Sequence, residues 1–403
     1  MSHVIVIGGG PAGASLAFVL ADRGIEVTLV ERQRDFGREF RGEVLLSTGI
    51  EALEQLGLGE AFLSVPRSEP ESLALYLNRR KVLDAELDRS FFDGRVPTPI
   101  SQPALLEAIV AEAAKRSGFR LLRGTAARDL LRDDRGRVVG VRTQGDDGSS
   151  ELRGDLVVGC DGRASIVRRR GGLEATEQSP PMDVVWCKVA PFEGIRGAHV
   201  YLGHGHLLIA YRAWDGRTQV AWVILKGTFG ELRRQGIEKW IEDMADHVSP
   251  DLGAHLRASV GDIQHPFLLD VVSDRVVRWH APGMLVLGDA AHTMSPVGGQ
   301  GLNIALRDVI VAANHLVPVL SAGADPAALD EVSARIEAER LPEVQQIQRL
   351  QALPPRVLLA TQWWAEPLRG LLASAIRLRR VQALALRQAS VFAFGVGDVQ
   401  LRV

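Results

Sequence analysis

The chain has 403 residues, 46% of them hydrophobic and 24% charged, with a formal net charge of −2. That length predicts two packed domains rather than one core, and the balanced charge gives no electrostatic case for nucleic acid as the main partner. Two cysteines, Cys160 and Cys187, stand outside any metal-ligand spacing, so a disulfide framework is not expected and a reducing, cytoplasmic setting is. The N-terminus runs almost directly into an apolar strand without a basic leader, and no uninterrupted apolar run reaches the ~20 residues that span a bilayer.

Val4–Ile7 is a short apolar run bounded by glycine, the pattern of a strand buried on both faces of a parallel sheet. Gly8-x-Gly10-x-x-Gly13 follows, then a helical period from Ala14 to Arg23 stopped by Gly24, then a second strand, Val27–Val30, closed by Glu31. Gly8 permits a tight turn, Gly10 lets the backbone approach a pyrophosphate, and Gly13 permits close helix–strand packing. The helix N-terminus faces the phosphates, Glu31 is placed to accept hydrogen bonds from an adenosine ribose, and Ala12 and Arg32 fall within the same site. This fingerprint does not separate NAD from FAD.

Arg41-Gly42-Glu43 leads towards a helix predicted over Gly49–Leu56, and Ser101 is the expected cap of a helix over 103–116 with Pro103 in its first turn. Arg120–Gly124, Arg137–Arg142 and Gly148–Leu152 read as a small antiparallel meander. Leu156–Gly159 is a further buried strand entering Cys160-Asp161-Gly162, with Ser165 and Arg168 in the first turn of the next helix. Asp161 there serves as a helix cap, a ligand contact, or both.

From Met182 to about Val277 the texture is β-like: Val184–Ala190, His199–Leu202, Leu207–Arg212 and Thr218–Leu225, with a helix expected over Leu232–Val248. Trp186, Tyr201, Leu208, Tyr211, Trp222 and Pro296 are candidate pocket walls. Leu208 and Ala210 share one face and Tyr211 the other, and alternation leaves open which face meets a ligand. Gly283–Leu287 is another buried strand, ended by Gly288-Asp289. The loop Pro296–Gly301 then feeds a helix from Leu302-Asn303 through Ala312. The last stretch is helical in texture and basic (Arg356, Arg369, Arg377, Arg379, Arg380, Arg387, with Trp363-Trp364), and Pro354-Pro355 breaks the chain before it. It packs across the protein or a homodimer interface in the preferred reading, and lies on a membrane surface in the other.

Gly8–Gly13, Cys160–Ser165 with Arg168, and Gly288–His292 running on through Pro296, Gly299, Gly301 and Asn303 resemble, in this order, the single-component FAD-dependent aromatic monooxygenases typified by p-hydroxybenzoate hydroxylase. The resemblance spans about residues 1–345. It implies an α/β fold: a Rossmann-like FAD domain (1–70, 97–175 and 280–345) interleaved with an antiparallel-sheet substrate domain (71–96 and 176–279), followed by a C-terminal helical region (346–403). It implies that Arg41, with Arg38 as the alternative, reaches the FAD pyrophosphate or the flavin edge, and that Gln102, where the family more often has Arg, contacts the cofactor. Asp161 and Arg168 carry over as pyrophosphate-side contacts, and Gly288 and Asp289 meet the ribityl chain. Pro296, Gly299, Gly301, Leu302 and Asn303 lie beside the flavin ring, Pro296 and Gly299 at its reacting edge, where a helix N-terminus would favour the reduced, anionic flavin. His292 would be a packing residue. NAD(P)H would reduce FAD without a domain of its own, O2 would add at C4a, and the hydroperoxide would hydroxylate an aromatic or polyketide-like small molecule in a dry pocket. Three other readings compete: a flavin-dependent halogenase, which shares the first segment but whose Trp-x-Trp-x-Ile-Pro stretch is absent from this sequence, a geranylgeranyl-reductase-like enzyme, which shares the fold, and a non-catalytic flavin-binding redox sensor.

Overall fold

His3–Ile7 lies near the middle of a six-stranded sheet in the order 280–281, 284–286, 156–159, 3–7, 26–30, 119–122. Its pairings are parallel except for the hairpin of His280–Ala281 with Met284–Val286. Parallel strands covered on both faces should be apolar throughout, and Val4–Val6, Leu156–Val158 and Met284–Val286 are all fully buried. The computed structural model describes residues 2–37, 44–177, 180–203, 205–358, 367, 370–371 and 394–403.

Among these, the α-helices in chain order are α1 (Pro11–Asp22), α2 (Ser47–Gln55), α3 (Gly59–Ser64), α4 (Gln102–Ala114), α5 (Ile166–Arg170), α6 (Phe229–Gln235), α7 (Ile237–Ala245), α8 (Pro250–Ala258), α9 (Gln300–Ser321) and α10 (Pro326–Leu358). Helix α1 begins at Pro11, earlier than the periodicity placed it, because proline at the first helical position gives up an N–H that has no partner there. The sixth sheet strand corrects the expected meander. Phe119–Leu122 pairs in parallel with Glu26–Val30, and the meander is Ala126–Arg132, Val138–Gly145 and Gly148–Arg153. Phe119, Leu121 and Leu122 pack on the main core, which draws that strand to the central sheet.

A second, seven-stranded sheet runs in the order 264–269, 182–189, 218–225, 206–212, 198–203, 72–77, 80–86. It is antiparallel except where Ala198–Gly203 runs parallel to Ser72–Leu77. One face carries Val185, Cys187, Tyr201, Leu208 and Trp222 and is covered by α7 and α8 through Trp240, Ile241, Met244 and Leu252. The other carries Val184, Trp186, Tyr211, Ala221 and Val223, packed with Val44 and Val297. The single helix expected over Leu232–Val248 is two, α6 and α7, divided at Gly236, whose φ of +90° breaks the helical path.

Helix α9, running on from the short turn at Val297, is long and apolar enough to cross a membrane, but 72% of its most apolar window is buried inside the protein. It packs against α1, α2 and α10 as a core helix. Pro354-Pro355 do not end the chain's helical course, since α10 continues to Leu358. A proline costs a helix about 3 kcal/mol, which a helix packed along α9 can absorb. The expected basic helical tail falls largely on residues 359–393, mostly outside the described residues.

The final segment is a strap rather than a helix. Residues 395–403 are non-helical and held by side chains of the first sheet's helices. Gln55 Nε2 donates to Val399 O at 3.2 Å and its Oε1 accepts from Leu401 N at 2.8 Å. Asn314 brackets the next residues in the same way, donating to Gln400 O and accepting from Arg402 N at 2.8 and 2.7 Å. Arg23 reaches Val403 O at 2.7 Å and Arg307 reaches Gly397 O at 2.6 Å.

Candidate active site

The three glycine-bearing segments meet where the central parallel strands end. Cys160 N donates to Ile7 O at 2.7 Å and Leu287 N to Gly159 O at 2.9 Å, which aligns the three strand ends. Gly8, at φ +98°, has room for no side chain, since a Cβ there would lie 2.5 Å from Cys160 O. A Cβ on Gly13 would lie 1.9 Å from Gly8 O. Both glycines are therefore required by the protein's own packing. Gly10 differs, because a Cβ there would meet nothing within 4 Å. Ala12 Cβ lies 3.2 Å from the Cβ position of Gly288, so the first and third segments touch directly.

Around this junction the polar side chains divide into those that brace the backbone and those turned outward. Glu31, 2% exposed, accepts from Gly9 N at 2.7 Å and Gln33 N at 2.9 Å, tying the first turn to the end of the second strand. Asp161 accepts from Ser165 Oγ at 2.5 Å, Ile166 N at 2.6 Å and Val167 N at 3.3 Å. It thus caps α5, as the cap reading expects. Burial pushes its carboxyl up against the opposing pull of those hydrogen bonds. Arg168 donates to Asp274 Oδ2 at 3.0 Å and Arg163 O at 2.7 Å, joining α5 to the strand Asp274–Val276. Gln102 opens α4, and Arg32 lies exposed beside Glu31. Arg41 and Arg38 lie outside the described residues.

Asp289 is the outward-facing acid. Its carboxylate is partly exposed, 3.5 Å from Arg163 Nε and 3.9 Å from the Cβ position of Gly301 at the start of α9. Pro296 leads into a turn in which Gly298 and Gly299 take left-handed φ values of +75° and +64°. Gly299 is the N-cap of α9, and Leu302 is half-buried in its first turn. Asn303 is fully buried, accepts from Leu46 N at 2.9 Å, and donates to Gly299 O at 2.8 Å. Its side chain therefore joins the turn to the segment leading into α2.

Beneath the turn runs a buried ionic chain that the sequence reading missed. His292, 1% exposed, donates from Nε2 to Asp308 Oδ2 at 2.7 Å, with its ring against Trp279 at 4.9 Å, in the packing role expected of it. The same Asp308 oxygen accepts from Gly288 N at 3.1 Å, and its other oxygen accepts from Arg340 Nε at 2.8 Å. Arg340 also pairs with Glu343, which pairs with Arg307 at 2.9 Å and accepts from Val396 N at 3.2 Å. Burial pushes the Asp308 carboxyl up, but His292 and Arg340 outweigh it and hold it below the ordinary aspartate range. Glu343 is lowered in the same way, burial opposing and Arg340 and Arg307 prevailing. The available signal was Arg307-Asp308 inside the otherwise apolar run Ile304–Ala313, an expensive placement unless the charges are paired.

One face of the seven-stranded sheet packs against the turn through Val297. Trp186 and Tyr211 lie on the face packed with Val297, whereas Tyr201, Leu208 and Trp222 lie beneath α7 and α8. Of the five candidate wall residues on the sheet, Trp186 and Tyr211 belong to this side. Among the described residues no group of three or more His, Cys, Asp or Glu is arranged to hold a metal ion.

A family model described as FAD binding domain matches residues 1–350. The chain is 31% identical over 363 residues to 6-methylpretetramide 4-monooxygenase of Streptomyces rimosus, covering 89% of this chain and 85% of that protein. It is 28% identical to rifampicin monooxygenase of Streptomyces venezuelae, covering 76% of this chain and 62% of that one. Among solved structures, p-nitrophenol 4-monooxygenase PnpA of Pseudomonas putida superposes with a TM-score of 0.80 at 19% identity, over 98% of this chain and 99% of that chain. PqsL of Pseudomonas aeruginosa, a probable FAD-dependent monooxygenase, gives 0.74 at 24% identity, over 91% of this chain and 100% of that chain. At those identities the structures speak for the fold.

Proposed function

From the premise that the chain belongs to the FAD-binding-domain family of FAD-dependent aromatic monooxygenases, we propose that its substrate is a polycyclic aromatic, polyketide-like molecule held between the turn at Pro296–Gly299 and the Trp186–Tyr211 sheet face. The observation that carries this reading is the apolar sheet face of Val184, Trp186, Ala221 and Val223, packed with Val297 of the turn. The names of the relatives from Streptomyces, enzymes of 6-methylpretetramide and rifampicin, support the same substrate class.

The residues present fit FAD. The open direction at Gly10 and the first-turn amides of α1, including Ala12 and Gly13, suit a pyrophosphate approaching the backbone. Glu31 and Arg32 lie on the adenosine side, and Asp289 is the acceptor for ribityl hydroxyls. Gly299, Gly301, Leu302 and Asn303 present the α9 N-terminus to the ring, with Pro296 above it. Gln102, at the head of α4, is a further cofactor contact in this reading. Asp161 and Arg168 act on the pyrophosphate side by fixing α5. Bound FAD, reduced by NAD(P)H, supplies the activation of O2 and the transfer of one oxygen atom to the substrate, the other leaving as water. The apolar wall excludes bulk water, and the α9 N-terminus favours negative charge on the ring beside it. In this reading the cofactor unit comprises 1–70, 97–175 and 280–345, the substrate unit 71–96 and 176–279, and the enzyme works in the cytoplasm.

The test is direct. The purified protein is expected to carry a flavin absorbance spectrum and to consume NAD(P)H and O2 faster when a tetracyclic naphthacene phenol is added. A reconstituted protein with no affinity for FAD would overturn the reading, and oxygen-independent reduction of an isoprenoid alkene would transfer it to the reductase class.

A further inference from the structure

We propose that Gln219 is a specificity-determining residue, its side-chain oxygen accepting a hydrogen bond from a phenolic or enolic hydroxyl of the substrate. The inference rests on the reading of the Trp186–Tyr211 face as the substrate wall.

Gln219 lies in the strand Thr218–Leu225, whose side chains alternate between the two faces of the seven-stranded sheet. Val220, Trp222 and Ile224 belong to the side covered by α7 and α8, and Ala221 and Val223 to the side packed with Val297. Gln219 shares the register of Ala221 and Val223, so it belongs to the wall facing the turn. Its cross-strand neighbours are Tyr211 on one side and Lys188 on the other. The Lys188 ammonium pairs with Asp215 at 2.6 Å.

The amide is fully buried, and its orientation is set. Nε2 donates to Cys187 O at 3.2 Å, which fixes Oε1 as the opposite end of the amide. That oxygen has no hydrogen-bond partner among the described residues. A buried amide oxygen without a donor is a standing cost to the fold and calls for a reason. Set into an apolar wall, it has the form of the few polar groups that orient a ligand in an otherwise hydrophobic pocket. An amide oxygen only accepts. It therefore selects for a substrate hydroxyl and against the matching ether or ketone, because an analogue without the donor leaves the oxygen desolvated and unpaired.

The test uses the FAD-loaded protein titrated with α-naphthol and with its methyl ether, reading the perturbation of the flavin absorbance band. The ether keeps the ring and the oxygen but loses the donor. The unsubstituted protein is expected to bind the naphthol about tenfold more tightly than the ether. In Gln219→Leu that preference should shrink to within about twofold, mainly by loss of naphthol affinity. Gln219→Met, closer in shape, should behave like Gln219→Leu and covers the case in which the leucine variant does not fold. A preference retained in a folded variant would overturn the role of Gln219 and leave the wall standing. Failure of both probes to perturb the flavin of the unsubstituted protein would overturn the wall, and this inference with it.

Discussion

Gly10 and Gly13 belong to one turn but answer to different constraints. Gly13 is hemmed in by the backbone of Gly8, whereas Gly10 faces open space that no protein atom fills. Gly13→Ala should therefore lower the stability of the cofactor-free protein by about 1–3 kcal/mol, the usual cost of overpacking, seen as a lower melting temperature. Gly10→Ala should leave the stability of the cofactor-free protein within about 0.5 kcal/mol of the parent, because nothing in the protein resists the methyl. It should nonetheless weaken FAD binding about tenfold or more, measured by quenching of flavin fluorescence, since backbone approach is what that glycine provides. Equal melting losses in the two variants would remove the distinction between a packing glycine and a ligand glycine. The fingerprint gave both roles in advance because each follows from a missing side chain. Asp161 and Glu31 were less legible, as a carboxylate at a strand end braces backbone amides or meets a ligand with the same sequence signal.

At the scale of elements, α9 and α10 are joined by buried charge. Asp308, Arg340, Glu343 and Arg307 are each at most 7% exposed and are arranged in alternating sign. Asp308→Asn leaves Arg340 short of a counter-charge and should cost about 3–5 kcal/mol, read from denaturant unfolding. The pH dependence follows from the direction of the shifts. Asp308 and Glu343 are held below their ordinary values in the folded protein, so each contributes stability that is fully present above about pH 4.5 and is lost as the pH falls through the lowered folded-state value. The acid limb of the stability profile should accordingly be shallower in Asp308→Asn than in the parent. An unchanged limb would show that the carboxylate titrates as freely folded as unfolded. Little of this coupling was legible, because charged residues on a helix ordinarily read as a solvated face and pairing between distant helices leaves no local pattern. Most strands of the two sheets were legible from short apolar or alternating runs, although Ser72–Leu77, Arg80–Glu86, Gln264–Leu269 and His280–Ala281 were not singled out. Phe119–Leu122 was assigned to the wrong sheet, as proximity to the meander competed with a long-range parallel pairing to Glu26–Val30.

Across the whole molecule, the same alternation that made the second sheet readable concealed which side was functional. Period two divides Trp186 from Trp222, but only the placement of α7, α8 and Val297 tells which residue is structural. Trp222→Phe should lower stability by about 1–3 kcal/mol without altering substrate KM, while Trp186→Phe should raise KM about threefold or more, both followed as substrate-stimulated NAD(P)H oxidation. Matching KM effects in the two variants would mean that the faces are misassigned.

The terminal strap sets a second constraint at this scale, because it connects the end of the chain to helices whose sequence positions span nearly its full length. Gln55 and Asn314 each use both ends of an amide to hold it, and Arg307 holds Gly397 while remaining paired with Glu343. Ending the chain at residue 393 removes these hydrogen bonds and opens one end of the ionic chain to water. At about 1 kcal/mol for each hydrogen bond, less the entropy regained by the freed segment, the loss should be about 3 kcal/mol and visible as a melting temperature lower by several degrees. Because Asp308, at the other end of that chain, accepts from Gly288 N, the truncated protein should also bind FAD more weakly. A truncation that lowers the melting temperature but leaves FAD affinity untouched would show that the strap stabilises the helices without steadying the turn beside them.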